Sequence, residues 1–405
     1  MRVLMLNQVF YPDVAATAQH GHDLARSLVA NGHEVTAIAS RSLYGTKGAA
    51  LPKRETVDGI EIRRVGKSFF GKSSIIGRVA DFLYFYVAAT VRAITLPRHD
   101  VVICFTTPPF IGFSGLILRL LKGTRFVYWV MDLYPDVLVV CGVAKERSFG
   151  TRFLEGLNRW CLNRADVDVV LGRCMRDRVL AKGIDPAKVR MIGVWSDQEE
   201  VSPIEPEQNR YRIEWGIGDR MLVMYSGNFG LGHDVETFLQ AAVKLKDDDR
   251  IRFAFVGGGK RKEQVEQFVH DNGLEGTCIL EPFQPRERLD ELLSAGDVHL
   301  ASMLEGTEGI MVPSKLFGIL AVGRPALFIG SERSEIARVI AENDCGRTIR
   351  EGDCEELVRA ILNYTVDPTE RRAAGERARR ALIEEHSAKI RCRAWLELLE
   401  EITAR

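Results

Sequence analysis

The sequence predicts an α/β chain made of two Rossmann-like halves, each wound around a parallel sheet, and three observations predict it. Short apolar runs such as Arg2 to Leu6, Val101 to Phe105 and Arg125 to Met131 alternate with longer helical stretches, the pattern of strands buried on both faces. The same strand–helix rhythm starts again at Met221, after a polar stretch, EEVSPIEPEQN, that carries two prolines and reads as a linker. The chain, at 405 residues, is long enough for two or three full cores.

Bulk properties narrow the function classes. Lys plus Arg and Asp plus Glu are both 55, so no general nucleic-acid footprint is expected. The eight cysteines are scattered, without a Cys-x-x-Cys pair, which fits a reducing cytosol and no zinc finger. The start, MRVLMLNQVFYPD, has no signal-peptide layout, since its apolar run breaks at Asn7. Val101 to Leu118 is uncharged for 18 residues, nominally enough to span a membrane. Thr106-Thr107-Pro108-Pro109 interrupts it, so it reads as a strand, a loop and a helix from about Phe110 to Leu121.

The first half opens with a strand at Arg2 to Leu6, a loop through Tyr11 to Thr17, and a helix that Asn31-Gly32 stops. His33 to Ser40 completes a βαβ unit. The first loop lacks Gly-x-Gly-x-x-Gly, which argues against a nicotinamide or flavin site and hence an oxidoreductase. His20, His22 and Asp23 share one early helical turn without a further ligand in view, so a solvated helix face is expected there, not a metal. Glu61 to Val65 extends the sheet. Gly71 to Ile94 follows, rich in apolar and aromatic residues, with Lys72, Arg78 and Arg92 along it. It reads either as a core helix or as one resting on a membrane surface, and different faces can do both. Asp132 stands at the carboxyl end of the Arg125 strand, where ligands sit in open α/β sheets. A carboxylate there can take a proton from a hydroxyl, cap the next helix or pair with an arginine. Asp168 to Gly172 and Val189 to Val194 are the last strands of this half.

In the second half, Met221 to Tyr225 is a strand, Ser226 to Gly232 a glycine-spaced loop and Asp234 to Lys246 a helix. Ile251 to Val256 leads into Gly257-Gly258-Gly259-Lys260. Such loops let a phosphate or sugar approach the backbone closely. Cys278 to Glu281, Pro282-Phe283 and an amphipathic helix from Arg286 to Ala295 come next. The strand Gly296 to Ala301 then delivers the chemically richest stretch, SMLEGTEGIMVPSKLFGILAVGRP, from Ser302 to Pro325. Pro313 suits a first helical position, with Ser314 and Lys315 in the first turn. Free N–H groups, a hydroxyl and a lysine make either a place for anionic oxygens or a capped helix with a solvated lysine. After further elements to about Glu385, a last helix from Ala388 to Ile402 presents Trp395, Leu396 and Leu399 as an anchoring face.

The Ser302 to Pro325 stretch resembles the donor-site motif of the GT-B glycosyltransferases, above all glycosyltransferase family 4 and its lipopolysaccharide and capsule branch. Glu308 matches the first motif glutamate and Gly323-Arg324-Pro325 the closing turn, whereas Gly318 falls where the family places its ribose-holding glutamate. DLYPD, from Asp132 to Asp136, matches the branch's Asp-Leu-Trp-Pro-Glu-like segment. The resemblance implies two facing domains with an interdomain cleft: residues 1–197 on the acceptor side, rejoined by 388–405, a linker at 198–207, and a donor-binding domain at 208–387. It further implies retaining, metal-independent sugar transfer from a nucleoside diphosphate sugar, of UDP-N-acetylhexosamine or UDP-N-acetylfucosamine type, to a glycan or polyprenyl-diphosphate-linked acceptor. The nucleotide sugar would be a substrate, and no cofactor or metal is expected. The catalytic set implied is Asp132, Glu308 and Lys315. The donor-binding set is Gly227, Asn228, Gly257, Gly258, Gly259, Lys260, Pro282, Phe283, Gly309, Ile310 and Ser314, and Tyr11 and Thr17 lie on the acceptor side. Asn228 and about Gly232-His233 occupy positions where many members carry an arginine and a lysine. Lys315 is the leading replacement for that charge, with Lys260 and Arg261 in reserve. Such a protein would work in the cytoplasm, free or against the inner face of the membrane. A nucleotide-sugar epimerase and a catalytically silent sugar-nucleotide-binding protein of the same fold are the rival readings.

Overall fold

The computed structural model describes residues 1–43, 47–48, 50–71 and 75–404; Lys72 lies outside them. The chain divides into two compact units, Met1–Gly193 with Arg391–Arg405, and Val194–Ile390. Residues 198–207 belong to the second unit, where the Arg379 guanidinium donates to the Gln198 and Val201 carbonyls.

In chain order the first unit contains β1 (Arg2–Leu6), α1 (Ala16–Ala30), β2 (Glu34–Ser40), β3 (Arg54–Val57), β4 (Ile60–Val65), α2 (Ile75–Thr95), β5 (Val101–Cys104), α3 (Gly112–Lys122), β6 (Arg125–Val130), α4 (Asp136–Val140), α5 (Phe149–Arg164), β7 (Val167–Val170), α6 (Arg173–Ala181) and β8 (Val189–Met191). The strands form one sheet in the order β3-β4-β2-β1-β5-β6-β7-β8, parallel except for the β3–β4 hairpin at the edge. The β5 and β6 runs are buried almost throughout, as strands covered on both faces must be. Phe110 has φ of 69° and stays outside α3, which therefore starts two residues later than expected. Within this unit Trp395 packs 4.5 Å from the Trp129 ring, and the closing helix buries Trp395, Leu398 and Leu399. Leu398, not the expected Leu396, fills the third place, because the 3.6-residue period brings it round to the sheet.

The second unit contains α7 (Arg210–Glu214), β9 (Met221–Asn228), α8 (Glu236–Lys244), β10 (Ile251–Gly258), α9 (Lys262–Asp271), β11 (Cys278–Glu281), α10 (Leu289–Ala295), β12 (Val298–Ser302), α11 (Lys315–Ala321), β13 (Ala326–Ile329), α12 (Glu335–Asn343), β14 (Gly346–Ile349), α13 (Cys354–Val366) and α14 (Pro368–Ala381). A π-helical segment, Leu382–His386, leads into α15 (Ala388–Ala404). The sheet order is β11-β10-β9-β12-β13-β14, all parallel. Tyr225, Phe238, Phe253 and Phe255 are fully buried at its centre. A buried ion pair fixes β12 beside β9: Arg212 donates to Asp297 at 2.8 Å, and the same carboxylate oxygen accepts from the Leu222 amide. Removing one partner would strand a buried charge, so this pair sets register more surely than it adds stability.

Two expectations need correction here. β9 and β10 are longer than their apolar runs: Gly227 pairs with Gly257 and Asn228 with Gly258 inside the ladder, where loops were expected from Ser226 onward. The glycines permit it, since a Cβ on Gly257 would lie 1.9 Å from the Gly227 carbonyl oxygen. Pro313 lies before α11 and not in its first turn; Ser314 is the flanking residue and Lys315 the first helical one.

Candidate active site

Parallel strands of one sheet end at the same edge, so β9, β10 and β12 of the second unit deliver their following residues together. Lys315, at the start of α11, reaches across this edge. A Cβ on Gly227 would lie 2.6 Å from Lys315 Cε, so the bare glycine is what lets the lysine chain pass. Its ammonium donates to Tyr225 Oη at 2.5 Å and to the Asn228 carbonyl at 3.0 Å, and it lies 4.3 Å from the Tyr225 ring centre. His233 Nε2 is 3.4 Å away. The histidine's Nδ1 is 2.5 Å from the Ser302 carbonyl; a carbonyl only accepts, so Nδ1 carries the proton and Nε2 offers a lone pair to Lys315. Tyr225 in turn donates to the Asn228 carbonyl at 2.9 Å. Three acceptors thus hold one lysine above the glycine pair.

Electrostatics sharpen the arrangement. Desolvation lowers the Lys315 pKa to about 7, so the amine exchanges its proton readily near neutral pH. Desolvation, with the Lys315 charge second, drives His233 down to about 3, so the ring stays neutral. Burial raises the Tyr225 phenol, which stays protonated. An anion placed here would return the proton to Lys315 and gain an ammonium in a poorly solvated setting, where charge interactions are strongest. α11 has only seven residues, so its dipole adds little and the lysine side chain carries the charge.

The other second-unit candidates divide. Gly258 lies beneath Phe283, whose ring would be 2.9 Å from a Cβ there, and Phe283 remains 58% exposed, an aromatic plate at the strand edge. The Pro282 carbonyl is occupied by the Gln284 amide at 3.1 Å. Gly259, with φ of 136°, packs against Asn228 and Phe229, where a Cβ would meet Asn228 Oδ1 at 2.4 Å. Lys260 is exposed on the following turn. Arg261 turns inward and donates to the His233 carbonyl at 2.6 Å. Glu308 is half-buried beside Gly309. Burial would raise its pKa, but a hydrogen bond from Ser331, its own and the Gly306 backbone, and the Arg333 charge outweigh that and hold it low. Glu308 is therefore a firm carboxylate turned toward the segment after β13. Ile310 does not fit a ligand-binding role: its side chain is 1% exposed and its amide donates to the Thr307 carbonyl at 3.0 Å. Ser314 is half-buried and makes no side-chain cap.

In the first unit Asp132 follows β6, its amide donating to Thr106 Oγ1 at 3.1 Å. No hydrogen bond or ion pair to its carboxylate is found among the described residues, and desolvation alone raises its pKa to about 6. A carboxyl that titrates there can accept or release a proton near neutrality. Tyr11 is 39% exposed and stacks on His22 with 4.7 Å between ring centres. Arg64, itself buried, donates to the Tyr11 carbonyl at 2.5 Å and pairs with Glu55 at 2.5 Å. Thr17 is half-buried, and its carbonyl accepts from Asn7 at 3.5 Å. His20 and His22 are 5% and 6% exposed, which overturns the expected solvated face. The helix turns them inward, where Tyr11 covers His22 and Asp58 lies 3.2 Å from its Nε2. No group of three or more His, Cys, Asp or Glu suited to a metal occurs among the described residues.

Tyr225 and His233 were not expected in the site. Tyr225 reads as a core strand residue, and His233 as the place of a missing cation. The available signal was that a lysine drawn to a sheet edge needs acceptors there.

Comparison with known proteins accords with this geometry. Residues 16–195 match the glycosyl transferase 4-like domain, and 207–381 match glycosyl transferases group 1. The chain is 31% identical over 290 residues to a probable glycosyltransferase, WbjE, of Pseudomonas aeruginosa, covering 71% of this chain and 70% of that one. It is 25% identical over 399 residues to the putative colanic acid biosynthesis glycosyl transferase WcaI of Escherichia coli K12, covering 95% and 97%. The fold matches that of Anabaena HepE, solved with UDP-glucose, with a TM-score of 0.75, 13% identity and coverage of 99% and 100%. A strand-edge lysine above paired glycines, both domain matches and the identity to WbjE lead to one conclusion: the chain is a glycosyltransferase, with a 4-like first domain and a group 1 second domain.

Proposed function

We propose that this enzyme moves a sugar, with retention and without a metal, from a UDP-sugar to a hydroxyl of a glycan or polyprenyl-diphosphate-linked acceptor in surface polysaccharide synthesis. The observation that carries the reading is Lys315, held by Tyr225, Asn228 and His233 above the Gly227–Gly257 pair. Its position suits a diphosphate. The WcaI similarity supports the polysaccharide setting, and the HepE likeness supports UDP as the nucleotide. An N-acetylhexosamine or N-acetylfucosamine is the donor sugar proposed.

In the reaction the bond between the anomeric carbon and the diphosphate oxygen breaks, and the oxygen leaves with the electron pair. Lys315, protonated once the diphosphate is bound, stabilises that growing charge. One such preorganised donor is worth about 10²–10³ in rate. Phe283 gives the base a surface to stack on. Glu308, held ionised, orients sugar hydroxyls and favours positive charge at the anomeric carbon. The acceptor hydroxyl forms the new bond and gives its proton to Asp132, whose raised pKa suits a base.

Purified enzyme offered a panel of nucleotide sugars with a membrane lipid extract should release UDP only when acceptor is present, and equally well in excess chelator. The product anomer, read by NMR, should match the donor. Release that stops in chelator, an inverted anomer, or epimerised donor without transfer would each refute the corresponding part.

A further inference from the structure

We infer that the outward face of α2, with the Phe69–Phe70 loop at one end and α3 alongside the other, docks on the surface of an anionic lipid bilayer. α2 is apolar on two opposite sides. Phe85, Ala89 and Ala93 are buried against the sheet. Ile76, Leu83, Val87 and Val91 recur every four or seven residues on the other side and are 84%, 59%, 65% and 55% exposed. A helix that only covered its sheet would turn polar side chains outward there.

The loop is built to add to this face. The buried Asp81 carboxylate accepts from Ser68 Oγ at 2.5 Å and from the amides of Phe69, Phe70 and Gly71 at 2.8, 3.1 and 3.2 Å. These bonds outweigh the cost of burial and hold Asp81 ionised. They also fix the turn that leaves Phe69 and Phe70 50% and 45% exposed, with Phe69 edge-on to Tyr84 at 5.4 Å. At the far end α3 runs beside α2. Thr90 meets Ser114 at 2.7 Å, Lys122 donates to the Ala93 carbonyl at 3.2 Å, and Leu120 and Leu121 are 69% and 65% exposed.

Charge selects the occupant. The α2 sequence holds Arg78 and Arg92, and its one carboxylate is the buried Asp81. Lys67 lies over the Phe69 ring at 4.8 Å. A second copy of this face would set cations against cations, whereas anionic headgroups complement them and acyl chains accept the apolar stripe. No helix among the described residues is long and apolar enough to cross a membrane, so α2 would lie along the surface. None of these residues belongs to the strand-end sites, and the inference stands apart from the sugar-transfer reading.

Co-sedimentation of the full chain tests it, with vesicles of phosphatidylglycerol and phosphatidylcholine compared with phosphatidylcholine alone. Binding should be at least about tenfold stronger to the anionic vesicles and weaken as salt rises. The double variant Leu83→Glu, Val87→Glu should bind at least about tenfold less, since each glutamate replaces an exposed apolar side chain with a charge the headgroups repel. Its melting temperature should be unchanged. Equal sedimentation of wild type and a folded double variant would overturn the inference. So would self-association in sedimentation velocity that the double variant abolishes, because the face would then belong to a second copy.

Discussion

The strand ends of the two units solve the same problem in opposite ways. In the second unit the backbone is stripped bare: Gly227, Gly257 and Gly259 all have φ above 130° and leave no room for a Cβ, and a single lysine crosses the cleared edge. In the first unit the edge is furnished with side chains, Tyr11 on His22 and Asp132 beside Thr106. Each edge holds an ionisable group whose pKa desolvation brings near 7, Lys315 down to about 7 and Asp132 up to about 6. The contrast teaches a division of labour. The bare edge leaves room for a bulky, highly charged ligand at the backbone, whereas the furnished edge presents side chains, and the proposed mechanism assigns the donor to the first and the acceptor hydroxyl to the second.

The largest effect should come from filling the bare edge. Gly257→Ala places a Cβ 1.9 Å from the Gly227 carbonyl oxygen at φ of 132°, and should cost more than about 3 kcal/mol. That is a fall in melting temperature of at least about 6 °C by thermal denaturation. Tyr11→Ala, on the furnished edge, should move it by under about 2 °C, its side chain being 39% exposed. Equal losses would erase the contrast.

Next comes Asp132→Asn, which keeps the shape and removes the proposed base. Initial-rate assays should show kcat reduced about 10²–10⁴-fold with donor KM nearly unchanged. A loss confined to donor KM would move Asp132 out of the proton transfer.

Much of this organisation is legible in the sequence, and the rest fails for identifiable reasons. Apolar runs located the strands and the restart at Met221, and the glycines that clear the second unit's sheet edge stand out in the sequence. Periodicity hides the partners of Lys315: Tyr225 is 90 residues away and belongs by composition to a core strand, and His233 is 82 away. Only the parallel sheet brings them to one edge. α5 is not evident because Phe149, Phe153 and Trp160 are exposed on it, which blurs the apolar and polar sides that define a helix in sequence. The His20 and His22 turn misleads in the other direction, since two polar residues proved to face inward, His22 beneath Tyr11. Glycine at position 318 is plain in the sequence, and a Cβ there would lie 3.1 Å from Leu293 Cδ1.

A smaller effect separates the two ionisable groups. The proposed mechanism needs Asp132 deprotonated, so kcat/KM should fall as pH drops through about 6. It needs Lys315 protonated, so kcat/KM should fall again as pH rises through about 7. The groups facing that lysine are the Tyr225 phenol, the Asn228 carbonyl and the His233 ring, with the Arg261 guanidinium behind; burial keeps the phenol protonated and the imidazole neutral through this window. Lys315→Arg should abolish the alkaline limb, because a guanidinium keeps its proton. An alkaline limb that persists in that variant would assign it elsewhere.

Smallest is His233→Ala, which deletes one of the three acceptors around Lys315 and should raise donor KM about threefold to tenfold, the value of a single neutral hydrogen bond. A much larger drop in kcat would make the histidine a participant and not a positioning residue.

The most direct test of the lysine at the bare edge is Lys315→Ala, assayed for UDP release and, separately, for UDP binding by titration calorimetry, both in excess chelator. Turnover should fall about 10²–10³-fold, while UDP binding remains measurable because Phe283 and the strand-end backbone persist. Turnover within a few-fold of wild type, or a wild-type enzyme that is inert until a divalent cation is added, would contradict it.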